Sequence, residues 1–156
     1  MSKSITRVEK AAEAAGFEIE ILRMPASTRT AAEAARACGC DVAQIVKSLI
    51  FERAEDAALV LLLVSGARQV DTGAAIFGHG LVRADPVRVR AETGFAIGGV
   101  APIGHKVALD VWMDRHLLEH ARVWAAAGAP HAVFAVAPDM LLQATGARLF
   151  DAPGLS

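Results

Sequence analysis

The sequence predicts a mixed α/β domain, a curled, barrel-like mixed β-sheet with flanking helices. Three observations carry this. Strand candidates outnumber long helices. The helices fall between strands at irregular intervals. One continuous apolar run, Ala57 to Ser65, has strand length and the unbroken hydrophobicity of a central strand covered on both faces. The length of 156 residues suits a single domain over 1–156. A doubly wound nucleotide fold would need a glycine-rich turn directly between the first strand and a helix. The glycine loop here, Gly98 to Gly104, follows a helix and precedes a strand.

Thr6-x-x-Glu9 has the form of a capping box, and Val8, Ala11, Ala12 and Ala15 follow at helical spacing up to Gly16. Phe17, Ile19 and Ile21 alternate with Glu18, Glu20 and Leu22, which predicts a strand. Pro25 breaks it. Thr30-x-x-Glu33 opens a second helix that stops near Gly39, and Asp41-x-x-Gln44 predicts a short helical turn. Val46 to Glu52 and Ala57 to Ser65 form a hairpin across the Glu55-Asp56 turn. A short helix is expected over Thr72 to Phe77, then a brief strand over Leu81 to Ala84. Asp85 caps a helix that carries Pro86 at its first position, where proline is preferred. Lys106 to Met113 predicts a strand, Asp114 to His120 a helical turn, and Arg122 to Ala125 another strand. His131 to Val136 is a strand after the Gly128-Ala129-Pro130 turn. Pro138 begins a last helix ending at Gly146, and Arg148 to Phe150 is a final strand.

Hydrophobic residues make up 54% of the chain and charged residues 21%, enough for a real core and unlike a disordered chain. The net charge of −1 supplies no field that would gather a polyanion non-specifically. Nucleic acid, if bound, must be held by a local patch. Cys38 and Cys40 form a C-x-C pair with no further ligand near in sequence, a poor zinc site, and both are expected as reduced thiols. Met1 to Lys10 has no apolar run of the signal-peptide kind, and the longest apolar stretch is too short to span a bilayer. The expectation is a cytoplasmic protein with no membrane or DNA partner, no metal and no cofactor.

The stretch Thr93 to His105 holds four glycines and a proline in thirteen residues, yet the residues between them are almost all apolar. Such a loop is half-buried, with bare peptide groups that need partners. Either it is a tight packing turn or it walls a pocket. Lys47 sits among apolar neighbours at the start of a strand. It either snorkels to water or holds a phosphate or carboxylate at a pocket mouth. His131 and His105 are each a structural anchor or a pocket group. Ser27, Thr28 and Thr30 precede a helix and fit capping. Asp71, Asp110 and Asp139 are candidates by elimination only. No nucleophile elbow, HExxH or paired-carboxylate motif is present. An enzyme built this way must position water or the substrate's own groups.

Five blocks occur in one order: Ser27 to Thr30, Gln44 to Phe51, Ser65 to Asp71, Thr93 to His105, and Pro130 to Phe134. Together they resemble the YbaK family of free-standing aminoacyl-tRNA deacylases, related to the editing domain inserted in bacterial prolyl-tRNA synthetases. The resemblance implies that family's fold and hydrolysis of the ester between a wrong amino acid and the 3′-terminal adenosine of tRNA. It implies that Lys47 holds the terminal nucleotide. It also implies that the Gly98–Pro102 loop, with Gly99, binds the α-amino group and places water near the ester carbonyl. His131 matches a histidine of the amino-acid pocket, beside Ser27, Thr28, Ser65 and Ala101 as substrate-binding positions. The implied partner is the aminoacyl-tRNA acceptor end, with prolyl-tRNA synthetase as a further partner and tRNA-Pro carrying a small or medium amino acid as substrate. Two positions depart from the pattern: Ala101 stands where proline is common, and Ala137 where a Ser or Thr cap is common. The same pocket could serve a non-catalytic module that binds an aminoacyl-adenosine-like ligand or a synthetase, and a general esterase is a third option.

Overall fold

The computed structural model describes residues 3–155. The strand β2 (Val46–Arg53) pairs antiparallel with β3 (Leu59–Ser65), with Val46 opposite Ser65 and Glu52 opposite Leu59. This is the hairpin expected from the sequence. Every residue of β3 is buried. Leu59, Leu61 and Leu63 enter one hydrophobic cluster, and Val60, Leu62 and Val64 enter a second. A strand buried on both faces must lie inside a sheet, and β3 is the middle of five, in the order β4-β2-β3-β5-β8. Here β4 is Leu81–Arg83, β5 is Asp110–Asp114 and β8 is Arg148–Phe150. Each fully buried leucine of β3 contributes roughly 1.5–3 kcal/mol.

The remaining strands, β1 (Ile21–Arg23), β6 (Val123–Ala126) and β7 (Ala132–Val136), form a separate sheet in the order β1-β7-β6. The single curled, barrel-like sheet is therefore corrected to two sheets. A barrel needs a continuous ladder around its circumference. The edge of β2 is taken by β4 only over Phe51–Arg53, and it meets β6 only at one parallel bridge between Ile45 and Trp124. Between those two points, among the described residues, no strand pairs with that edge of β2.

The first cluster fills the space between the sheets, bringing Leu61, Leu63 and Met113 against Val123, Phe134 and Val136. Ile5, Val8 and Ala12 of α1 (Lys3–Ala14), Val89 of α3 (Pro86–Thr93) and Leu141 of α4 (Pro138–Thr145) close its flanks. On the far face Phe77, Trp112 and Phe150 pack edge to face.

Local signals explain most helix ends. Thr30 caps α2 (Ala31–Cys38) through a reciprocal capping box with Glu33, and Gly39 ends it in the left-handed region. Asp85 caps α3 ahead of Pro86. Ala137 makes no side-chain cap to α4, as its departure from the family pattern implied. Three expectations shift. α1 begins at Lys3, so Thr6 lies inside it rather than at its cap, because Ile5 already belongs to the buried face. Phe17–Ile19 are not paired, and the strand there begins at Ile21, where β7 becomes its partner. Lys106–Leu109 are not strand either: β5 starts at Asp110, opposite Val60, and Lys106 to Ala108 are exposed.

Candidate active site

A cavity of about 450 Å³ is lined by residues of both sheets. Residues 45–51 line it in unbroken succession, both odd and even. A cavity on a strand's face would touch alternate residues only. This one lies along the strand's edge. Across from β2 stand Ala125 and Ala126 of β6 and Val133 of β7, with Thr28 to Ala31 at one end and Ile97, Gly98 and Val100 at another. Most of the surface is apolar side chain. Three cations, Arg29, Lys47 and Arg83, also line it, with no aspartate or glutamate among the lining residues. Among the described residues, the guanidinium groups of Arg29 and Arg83 make no ion pair.

Lys47 projects on the face of Leu49 and Phe51, and its ammonium donates to the Arg68 carbonyl. Burial lowers the lysine's pKa, and the nearby Asp114 carboxylate acts in the opposite direction. Asp114 is fully buried at the end of β5. It accepts the Ser65 N–H at 3.1 Å, the His116 N–H at 3.0 Å and the His116 ring Nδ1 at 2.8 Å. In the sequence Asp114 marks only the start of a helical turn. Its one local signal was a polar residue in capping position, and the cap is real. Its link to Lys47 comes through the β2–β3–β5 pairing and leaves no local trace.

The glycine loop is part packing turn and part pocket wall. Its ends are closed by the Lys106 N–H on the Thr93 carbonyl, 3.0 Å, and Thr93 is buried with its Oγ1 accepting the Phe95 N–H at 3.0 Å. Gly98 takes φ +95° and lines the cavity with Val100. Gly99, Ala101 and Pro102 are buried and do not line it. They support the loop from behind. The rear face is fastened to α1: Arg7 donates to the Gly94 carbonyl and lies 5.1 Å from the Phe95 ring centre. His105 packs edge-on to that same ring at 5.4 Å. Burial pushes the His105 pKa down to about 4, against the Ala101 carbonyl that it bonds and with help from the Arg7 charge. His105 is thus neutral and anchors the loop.

The structure brings Lys47, Thr28 and Gly98 to one cavity and leaves other candidates outside its lining. Ser27 accepts the Arg29 N–H in a local turn. Ser65 is buried and donates to the Ala43 carbonyl, 2.8 Å. His131 is exposed, with φ +67°, and its Nδ1 contacts the Ala26 carbonyl at 2.9 Å, so it ties the β6–β7 turn to the loop before α2. Asp110 pairs with Arg53 and Arg148. Cys38 and Cys40 are free thiols, both raised in pKa chiefly by burial, Cys38 to about 11. Among the described residues no three His, Cys, Asp or Glu side chains cluster as a metal site, and no helix is long and apolar enough to cross a membrane. The cavity thus offers cationic and hydroxyl groups and apolar walls.

Residues 25–144 match the family model described as the aminoacyl-tRNA editing domain. A solved structure of a candidate trans-editing enzyme for prolyl-tRNA synthetase is 46% identical, with a TM-score of 0.90 and 99% of each chain covered. A solved structure of a hypothetical protein is 29% identical with a TM-score of 0.84, covering 94% of this chain and 98% of the other. The uncharacterized protein YwhH of Bacillus subtilis (strain 168) is 29% identical over 126 residues, 80% of each chain.

Proposed function

The chain belongs to the aminoacyl-tRNA editing domain family, the YbaK family, and from that premise we propose that it is a trans-acting deacylase of mischarged tRNA. The substrate is proline tRNA bearing a small or medium non-cognate amino acid. The observation that carries this reading is the cavity itself: an apolar chamber of about 450 Å³ with Lys47, Arg29 and Arg83 in its wall and no carboxylate in its lining. Such a chamber suits an uncharged side chain inside and the phosphates of a nucleotide at the mouth.

The reaction adds water to the ester carbonyl and expels the ribose oxygen, giving a free amino acid and an intact tRNA 3′ end. With no aspartate, glutamate or histidine in the lining to activate a hydroxyl, the work falls to positioning and to donors aimed at the oxyanion. Lys47 holds the terminal nucleotide. Gly98 brings its peptide group to the acyl end and its water, while Gly99, Ala101 and Pro102 stiffen the loop from behind. Thr28 stands in the wall; Ser27, Ser65 and His131 hold the segments that frame it. Selection by cavity size yields discrimination of about 10–200-fold per methylene, which is why a second sieve beside a synthetase is useful.

The test is single-turnover deacylation of a panel of mischarged proline tRNAs, with Lys47→Ala alongside. Clearance faster than buffer by the wild type and not by the variant supports the reading. Equal rates for protein and buffer end it. Tight binding of a non-hydrolysable aminoacyl-adenosine without ester turnover would instead identify a binding module.

A further inference from the structure

The cavity lies between two open strand edges, and that determines which peptide groups face it. In an antiparallel ladder the N–H and C=O of alternate residues point to the same side. The Ala54 N–H bonds Gly80 and the Arg53 N–H bonds Ala58, so even-numbered residues of β2 turn toward the β4 side and odd-numbered residues toward β3. Pairing with β4 covers only Phe51–Arg53, and the bridge to β6 lies at Ile45. Ser48 falls between them. On β6 the Ala127 N–H bonds the Ala132 carbonyl, so odd-numbered residues face β7 and Ala126 faces the gap. Among the described residues, neither Ser48 nor Ala126 is paired with a strand on that side: Ser48 pairs only with Leu63 of β3, and β6 pairs only with β7 beyond the Ile45–Trp124 bridge. Both residues line the cavity. The Ser48 hydroxyl is also buried without a hydrogen bond. Polar groups in a largely apolar wall favour a ligand that can hydrogen-bond them.

We propose that the facing open edges of β2 and β6, at Ser48 and Ala126, are the hydrogen-bonding seat of the substrate's aminoacyl group. The two N–H groups donate to the acyl carbonyl. The two C=O groups accept from the α-ammonium and from the attacking water. An aminoacyl ester has the matching set, one acceptor next to a donor, as an extended peptide has when it joins a sheet edge. The glycine loop then closes over the seat instead of forming it alone. Recognition through backbone is blind to the side chain, so the apolar walls alone set which amino acid fits. This rests on the deacylase reading and extends it.

The experiment uses uniformly ¹⁵N-labelled full chain titrated with alanine joined by an amide to 3′-amino-3′-deoxyadenosine, a probe that cannot be hydrolysed. The expected result is that the Ser48 and Ala126 amides are among the largest shifts and that their hydrogen exchange slows by about tenfold or more. Perturbation confined to Gly98–Val100, with Ser48 and Ala126 unmoved, overturns the seat while leaving the deacylase reading intact. Shifts at both amides in a protein that clears no mischarged tRNA do the reverse. No shift anywhere sinks both. Ser48→Pro supplies a second measurement, since it removes an N–H that is outside the β2–β3 ladder. It should lower kcat/KM about tenfold relative to Ser48→Ala, which keeps that N–H. Equal values for the two variants count against the seat.

Discussion

Acid should weaken this fold through His105 in a window set by its buried position. The ring is neutral in the folded state because burial holds its pKa near 4, against 6.5 for a free histidine. A folded pKa below the unfolded one means that the unfolded chain binds the proton first. Stability is then complete above pH 6.5 and is lost as pH falls toward 4. With these two values the loss is about 2 kcal/mol at pH 5 and about 3 kcal/mol at pH 4, a sizeable share of a domain's 5–15 kcal/mol. Carboxylates add their own acid dependence, so the comparison must be differential. Urea unfolding at pH 7.5 and pH 5 on the wild type and on His105→Phe isolates the ring. Phenylalanine keeps the edge contact with Phe95 and cannot titrate. The variant should start less stable, having lost its bond to Ala101, and should lose about 2 kcal/mol less between the two pH values. Parallel losses in the two proteins, or an NMR titration placing His105 near 6.5, would refute the assignment of His105 as a neutral, buried anchor.

Other perturbations address the site and its frame. Lys47→Met should cut deacylation by about 10²-fold, as for loss of a contact that positions the substrate, while urea unfolding shows little loss of stability because a partly desolvated ammonium has been removed. Gly128→Ala should destabilise by about 2 kcal/mol or more, since Gly128 has φ +95° and an added Cβ would sit 2.8 Å from the Phe95 ring and 3.0 Å from the Ser4 carbonyl. Thermal unfolding reads that directly. Asp114→Asn, which leaves the same shape but no charge, should lower the Lys47 pKa further and bring forward the alkaline limb of the pH–rate profile. An unmoved limb would detach Asp114 from Lys47.

How legible was this architecture? The hairpin, the doubly buried β3 and the capped starts of α2 and α3 follow from periodicity, Thr30–Glu33 and Asp85–Pro86, all local signals. The division into two sheets does not. Whether β6 continues the ladder past the Ile45–Trp124 bridge depends on partners distant in sequence, and no spacing records it. The site divides the same way. Lys47 and the glycine loop stood out because a cation on an apolar strand and glycines among apolar residues break local expectation. Asp114 obeyed it, as an ordinary helix cap, and its burial beneath Ser65 emerges only once β3 and β5 are paired. Ala126 is silent in sequence because the role proposed for it belongs to its peptide group and not to its side chain. His131 stood out and yet lies outside the cavity lining, its ring committed to Ala26.

The central claim is that the gap between β2 and β6 is where an aminoacyl ester is bound and hydrolysed. Filling that gap tests it most directly: Ala126→Leu puts a larger side chain on a half-buried position of the cavity wall and leaves the identities of Lys47 and the glycine loop unchanged. Single-turnover deacylation of alanyl-tRNA-Pro and its larger analogues should show rapid clearance by wild type and loss for the filled variant, steepest for the largest amino acid. Clearance by the filled variant at the wild-type rate, with its fold intact by circular dichroism, would contradict the account.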